Sequence, residues 1–279
     1  MSVDLYNADC FDILPKIGTG SVDMVLCDLP YGVTNNEKDK ALDLKRLWPE
    51  YKRIVKEDGC IALFAQGLFY VDLVDSNREM FRYDLVWDKE HITGFLNANR
   101  MPLRRHEQIA IFYSKLPTYN PQMVAGKPNH DQGTKRYLEG RTNRNYGKFN
   151  EVETKLDGMK HPTSILTFRK PHPSVAFHRT EKPVPLLEWL IRTYTNEGET
   201  VLDNCMGSGT TGMACARTNR NFIGIEMDPK YYDIAKMRID GVVAEMEGKE
   251  PAKIEERKPG VPETEHCGRA VDEIRIEDL

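Results

Sequence analysis

Two short segments carry residue types that chemistry can use. Asp28-Leu29-Pro30-Tyr31-Gly32 follows directly on an apolar run, residues 22–27, and offers a carboxylate, a backbone carbonyl and an aromatic ring. Such a group suits an amine whose lone pair is conjugated with a ring. Asp28 can accept a hydrogen bond from one N–H of that amine, and the Leu29 carbonyl from the other, because Pro30 restricts Leu29 to an extended backbone. Two acceptors on two hydrogens draw the nitrogen towards tetrahedral geometry and release its lone pair for attack. Tyr31 can stack on the ring face. A strand end followed by a proline turn is also common with no chemistry attached, so this segment gains meaning only beside a second one.

The second segment is Asp203-Asn204-Cys205-Met206-Gly207-Ser208-Gly209-Thr210-Thr211-Gly212. It reads as a turn between a short strand and a helix, where glycines let the backbone pass close to a ligand at the helix N-terminus. Gly207, Gly209 and Gly212 satisfy the GxGxxG spacing of dinucleotide sites, which alone is a weak signal, because glycines also make tight helix-packing turns. The flanking carboxylates say more. Asp203 beside the turn suits an ammonium group and would repel a pyrophosphate, which favours S-adenosylmethionine over a dinucleotide. Glu226 closes the following strand, where a carboxylate can accept both hydroxyls of a ribose. The candidate cofactor residues here are Asp203, Cys205, Gly207, Ser208, Gly209, Thr210 and Glu226.

These groups can act together only if a fold brings them to one edge. Three apolar runs, residues 22–27, 60–65 and 83–87, are short, β-rich and separated by lengths suited to helices, which predicts buried strands of a parallel sheet. Residues 41–56 have the helical spacing Leu44, Leu47, Trp48, Tyr51, Val55, with Asp58-Gly59 as a stop signal. Another strand covers 108–113. Residues 184–194 predict a helix with Leu186, Leu187, Leu190, Ile191 and Tyr194 on one face. A strand-turn-helix-strand unit then covers 200–226, and a last helix starts at Pro229 and runs to about Ile239. The expectation is an α/β, Rossmann-like, mostly parallel seven-stranded sheet with helices on both faces. Its strands lie near Leu5, Val25, Leu63, Val86, Ile111, Val201 and Ile223.

Residues 114–178 lack periodicity and read as an irregular insertion containing Tyr119, Tyr137, Tyr146 and Phe149. They carry 11 Lys and Arg against 5 Asp and Glu, whereas residues 240–279 carry 6 basic against 12 acidic. A net charge of −4 would argue against a nucleic-acid partner, but a basic middle followed by an acidic tail permits one.

Taken in order, the two segments resemble the beta group of DNA amino-methyltransferases, in which a DPPY-type catalytic motif precedes the cofactor turn. That order is permuted relative to most methyltransferases, and phage and restriction-modification enzymes carry it. The likeness extends to Asn7-Ala8-Asp9-Cys10, to LVWDK at 85–89, to RHEQIAIFY at 105–113 and to HRTEKPVPLLEW at 178–189. It implies a methyltransferase fold that uses S-adenosylmethionine to methylate the N6 amine of adenine in DNA after the base is turned out of the stack. It further implies that Asp9 meets the cofactor's adenine, that Asp203 and Lys182 lie near its amino-acid end, and that Glu226 holds its ribose. Asp28, Leu29, Pro30 and Tyr31 take the catalytic positions. Leu29 stands where the family has its first proline, and Arg179 and Glu181 stand where it more often has Pro and Gln. Relatives acting on the cytosine amine usually have Ser in place of Asp28, so N4-cytosine methylation is the alternative.

The resemblance also divides the chain. Residues 1–113 form the catalytic part, 114–178 an inserted target-recognition region, 179–248 the cofactor part and 249–279 a charged tail. Lys135, Arg136, Arg141 and Arg144 are the candidate DNA contacts of the insertion, although a solvated charged loop has the same composition. Relatives are often homodimers, but no dimer surface is legible. Cys10, Cys27, Cys60, Cys205, Cys215 and Cys267 show neither zinc nor disulfide spacing, and no apolar stretch is long enough to span a membrane, so a cytoplasmic protein with reduced thiols and no metal is expected.

Other functions leave these features unexplained. A cytosine C5 methyltransferase needs a thiol in a Pro-Cys pair, and no cysteine here follows a proline. A zinc deaminase needs H-x-E and P-C-x-x-C, which are absent. A dehydrogenase would use GxGxxG but leave Asp28 to Tyr31 and the basic insertion idle. A non-catalytic DNA-binding protein on a relic methyltransferase fold is the main alternative from another class, and the retention of Asp28, Tyr31 and Glu226 argues against it.

Overall fold

The computed structural model describes residues 1–32, 41–126, 158–171 and 181–249. Strand β1 (Val3–Asn7) leads into α1 (Cys10–Ile13), whose first turn Asp9 caps by accepting the Phe11 N–H. Then come β2 (Val22–Cys27), α2 (Leu44–Ile54), β3 (Val55–Ala65), α3 (Gly67–Ser76) and the long strands β4 (Phe81–Thr93) and β5 (Arg104–Phe112). Short strands β6 (Val124–Ala125), β7 (Met159–Lys160) and β8 (Ile165–Thr167) precede α4 (Val184–Tyr194). Next follow β9 (Thr200–Asp203), α5 (Thr210–Arg217), β10 (Asn221–Glu226) and α6 (Pro229–Met246).

Among the described residues one sheet of eight strands runs β1-β10-β9-β2-β3-β5-β4-β8, and β6 pairs with β7 separately. Only β5 runs against its neighbours; the other pairings in the large sheet are parallel. Strand β1 from the start of the chain and β9 and β10 from residues 200–226 therefore meet in one half of the sheet, as the permuted motif order requires.

The seven expected strands all share this sheet, and the eighth, β8, comes from the segment expected to be irregular. Three residues carry no readable period, and β8 is recruited only because β4 offers it a parallel partner, Val86 opposite Ile165. The stop expected at Asp58-Gly59 lies inside β3 instead. The β2–β3 register jumps from Val22↔Val55 to Met24↔Cys60, so residues 56–58 loop out and Gly59 closes the loop. A Cβ on Gly59 would sit 2.5 Å from Val55 Cγ1 and 2.8 Å from the Asp23 carbonyl oxygen. The last helix also continues past Ile239 to Met246, because Val242 stays buried and extends its inner face.

Alternation along β2 and β3 divides the core. Val25, Cys27, Ile61 and Leu63 face Leu47, Trp48 and Tyr51 of α2 and Phe69 and Leu73 of α3. Met24, Leu26, Cys60, Ala62 and Phe64 face α4, α5 and α6 on the other side. On α4 the predicted stripe is buried throughout, and at roughly 1.5–3 kcal/mol per large apolar side chain its five residues stabilise the layer by about 10 kcal/mol. The chain just after β5 is tied to the same helix: Asn120 donates from its backbone to the Thr193 carbonyl at 2.8 Å and from Nδ2 to the Arg192 carbonyl at 3.2 Å. The five described cysteines are free thiols. No helix among the described residues is long and apolar enough to cross a membrane.

Candidate active site

Because β1, β10, β9 and β2 are parallel and adjacent, their carboxyl ends share one edge. Asp9 follows β1, Glu226 ends β10, Asp203 ends β9 and Asp28 follows β2, so four carboxylates line this edge. Strands lie about 4.8 Å apart, which puts roughly 10 Å between the β10 and β2 positions.

The glycines of the turn do different work. A Cβ on Gly209 would lie 2.8 Å from the Ala235 Cα of α6, and one on Gly212 would lie 2.4 Å from Ile239 Cδ1, so both serve helix packing. Gly207, at φ +52, has nothing within 4 Å of a Cβ and leaves the turn open. Its N–H donates to Glu226 Oε2 at 2.9 Å, and the Asp228 N–H donates to Oε1 at 2.8 Å. Each carboxylate oxygen is thus fixed by one backbone amide. Burial raises the Glu226 pKa, against the hydrogen bonds from Asp228 and Gly207.

Asp203 points inward. It accepts from the Cys205 N–H at 3.1 Å and from Thr211 Oγ1 at 2.6 Å, which ties the start of the turn to α5. Burial pushes its carboxyl up to about 6, against the hydrogen bond from Thr211. Ser208 and Thr210 are also buried. The Ser208 carbonyl accepts from Arg238 of α6 at 2.7 Å, and Arg238 also pairs with Glu181.

Asp28 stands in a chain of charges. Tyr31 donates its hydroxyl to Oδ1 at 2.9 Å, and Lys182 Nζ contacts Oδ2 at 2.6 Å. Lys182 reaches Glu107 of β5 at 3.2 Å, and Glu107 also meets Lys89 of β4 at 3.2 Å. Burial acts to lower the Lys182 pKa, but the carboxylates of Asp28 and Glu107 outweigh it and hold the ammonium charged. Burial likewise acts to raise Glu107, and the two lysines outweigh it and lower its pKa. The Tyr31 phenol is pushed up by burial and stays protonated, while its ring stacks on Phe69 at 4.9 Å.

The structure therefore brings Asp9, Asp28, Leu29, Pro30, Tyr31, Lys182, Asp203, Cys205, Gly207, Ser208, Gly209, Thr210 and Glu226 to one edge of the sheet. Lys182, which the resemblance puts near the cofactor's amino-acid end, contacts Asp28. Lys135, Arg136, Arg141 and Arg144 lie outside the described residues. Sequence reasoning gave no role to Glu107 or Lys89. The available signal was a carboxylate at the head of the apolar run 109–112.

The sequence pattern of the DNA methylase family matches residues 22–237. Type II methyltransferase M.HpaI of Haemophilus parainfluenzae is 27% identical over 253 residues, 86% of this chain and 75% of that protein. DNA adenine methyltransferase YhdJ of Escherichia coli (strain K12) is 26% identical over 274 residues, 92% and 88% of the two chains. The crystal structure of the M1.HpyAVI–SAM complex superposes with a TM-score of 0.58 at 24% identity, covering 85% of this chain and 99% of the other. With a family pattern that spans most of its length and a methyltransferase sheet beneath it, the chain belongs to the DNA methylase family and is an S-adenosylmethionine-dependent DNA methyltransferase.

Proposed function

We propose that this methyltransferase acts on the N6 amine of an adenine turned out of DNA, with Asp28, the Leu29 carbonyl and Tyr31 receiving the base. The observation that carries this is the fixed Asp28 carboxylate, held by Tyr31 on one oxygen and Lys182 on the other. A carboxylate has about four lone-pair positions, so these two donors set its plane and leave capacity for an N–H of the base. With Pro30 keeping Leu29 extended, its carbonyl takes the second hydrogen. Tyr31 is backed by Phe69, so a base stacked on its other face would meet a supported ring. A target amine sits on the Watson–Crick edge, which requires the base to leave the duplex.

The residues fit S-adenosylmethionine. Glu226, fixed by two amides, suits the two hydroxyls of a ribose, and Gly207 leaves room for close approach. Asp9 lies beside Glu226, since the Ala8 N–H donates to the Glu226 carbonyl, and suits the adenine end. Asp203 shapes the turn and places negative charge beneath it, which suits the ammonium group. Bound there, the cofactor supplies a methyl group made electrophilic by its sulfonium. Asp28 and Leu29 would align the amine; as the N–C bond forms, the methyl–sulfur bond would break to leave a neutral thioether, and the extra proton on the methylated nitrogen would pass by way of the Asp28 carboxylate to solvent.

In the same reading, residues 1–113 and 179–248 are the catalytic and cofactor parts, and residues 114–178 read the DNA site. Lys135, Arg136, Arg141 and Arg144 meet phosphates, so replacing all four with Ala should flatten the salt dependence of DNA affinity by about one unit for each phosphate left without its partner. An unchanged slope with full activity would assign them to ordinary surface. Mass spectrometry of nucleosides from enzyme-treated plasmid tests the base: N6-methyladenine is expected. N4-methylcytosine would overturn the adenine assignment, and no methylated nucleoside would overturn the enzymatic one.

A further inference from the structure

Beyond the residues that receive the base, the hairpin joining β4 to β5 has an unusual surface. Ile92, Phe95, Leu96 and Met101 are exposed, Phe95 by 75% and Leu96 by 99%. Four large apolar side chains exposed within ten residues of one hairpin, 92–101, are more than the single scattered ones that an ordinary surface carries, and point to a partner site. From Asp88 to His106 the hairpin carries Lys89, Arg100, Arg104 and Arg105 against Asp88 and Glu90, and the two carboxylates lie at its base, leaving residues 91–104 with Arg100 and Arg104 and no Asp or Glu. The hairpin leaves the regular ladder after Asp88↔His106, pairs again at Thr93↔Arg104, and carries a tight helical turn, Phe95–Asn97, at its tip.

Its position ties it to chemistry. β4 points the same way as β2, so the hairpin rises from the carboxyl edge that holds Asp28. At its base Trp87 is opposite Glu107, and Glu107 reaches Asp28 through Lys182. Resting on the methyltransferase reading above, we propose that this hairpin is a wedge that enters the DNA stack where the target base leaves it, with Phe95 and Leu96 filling the gap. The positive charge of Arg100 and Arg104 suits phosphates, and apolar side chains that enter a base step offset the cost of unstacking it. Arg105 is held by both oxygens of Asp88, at 2.6 and 2.8 Å, which stiffens the base of the hairpin.

The test uses the full chain and two duplex oligonucleotides that carry its recognised site, mapped first by modification-sensitive sequencing. In one the target base is paired; in the other it faces an abasic position. Phe95→Ala/Leu96→Ala should slow single-turnover methyl transfer to the paired duplex by at least 30-fold and to the abasic-opposed duplex by less than threefold. Phe95→Leu should recover most of the paired rate. Both side chains are exposed, so cofactor affinity by calorimetry should match wild type. Equal slowing on both duplexes, or none on either, would overturn the wedge. So would a wild-type dimer that becomes monomeric in the double variant, because the surface would then belong to a second copy. If wild-type protein transfers no methyl group to either duplex, the methyltransferase reading itself falls.

Discussion

Replacing Glu107 with Gln removes the carboxylate shared by two lysines, and its cost follows from their burial. Lys89 is 3% exposed and the Lys182 side chain 8%, each 3.2 Å from a Glu107 oxygen. Breaking a buried ion pair from one side costs about 3–5 kcal/mol, because a charge stays behind without its partner. Lys182 retains Asp28 at 2.6 Å, and the Gln oxygen can still accept one hydrogen bond, so the loss falls near the lower end, about 3 kcal/mol. With a urea slope of about 3 kcal/mol per molar for a domain of this size, the unfolding midpoint should fall by about 1 M. The pH dependence gives a second check. The folded Glu107 pKa is lowered from its ordinary 4.5, so its contribution is full above that value and is lost as pH falls through the lower, folded one. The difference between wild type and Glu107→Gln should therefore shrink in acid. An unchanged midpoint at neutral pH would refute the claim that these charges form one energetic unit.

Two further outcomes test the cofactor half. Glu226→Ala should weaken S-adenosylmethionine binding by about tenfold or more, since hydrogen bonds to a charged group contribute about 1.5–3 kcal/mol; unchanged affinity by calorimetry would count against the ribose role. Asp203, raised from 3.8 to about 6, binds its proton more tightly folded than unfolded, so its contribution fades as pH climbs through 6. Wild-type stability relative to Asp203→Asn should drop by about 1.4 kcal/mol between pH 5 and pH 8, and a flat difference in urea titrations would mean that Asp203 titrates normally.

Strands β2 and β3 and the inner parts of β4 and β5 were legible because each contains a short apolar run, and α4 because its five apolar residues fall on one helical face with Pro183 before it. Asp28, Asp203 and Glu226 were legible because strand ends in a parallel sheet share an edge. What stayed hidden depends on tertiary neighbours that no local period records. Lys89, Glu107 and Lys182 meet only after β5 turns back beside β4 and the chain preceding α4 crosses to them. Gly59 looked like a helix stop because its real constraint is the Asp23 backbone across the sheet. The GxGxxG spacing mixed two causes: Gly209 and Gly212 answer to α6, and only Gly207 leaves space for a ligand.

Asp28 takes part in the reaction and not in cofactor binding under the proposed mechanism, and single-turnover methyl transfer at saturating S-adenosylmethionine and DNA tests that division most directly. Asp28→Ala should bind the cofactor as wild type does, since Glu226 and the glycine turn are untouched, yet transfer methyl groups about 100-fold to 1000-fold more slowly. Asp28→Asn should lose less, because its amide oxygen still accepts a hydrogen bond. Transfer by folded Asp28→Ala at the wild-type rate would reduce the segment to a turn and contradict the catalytic assignment.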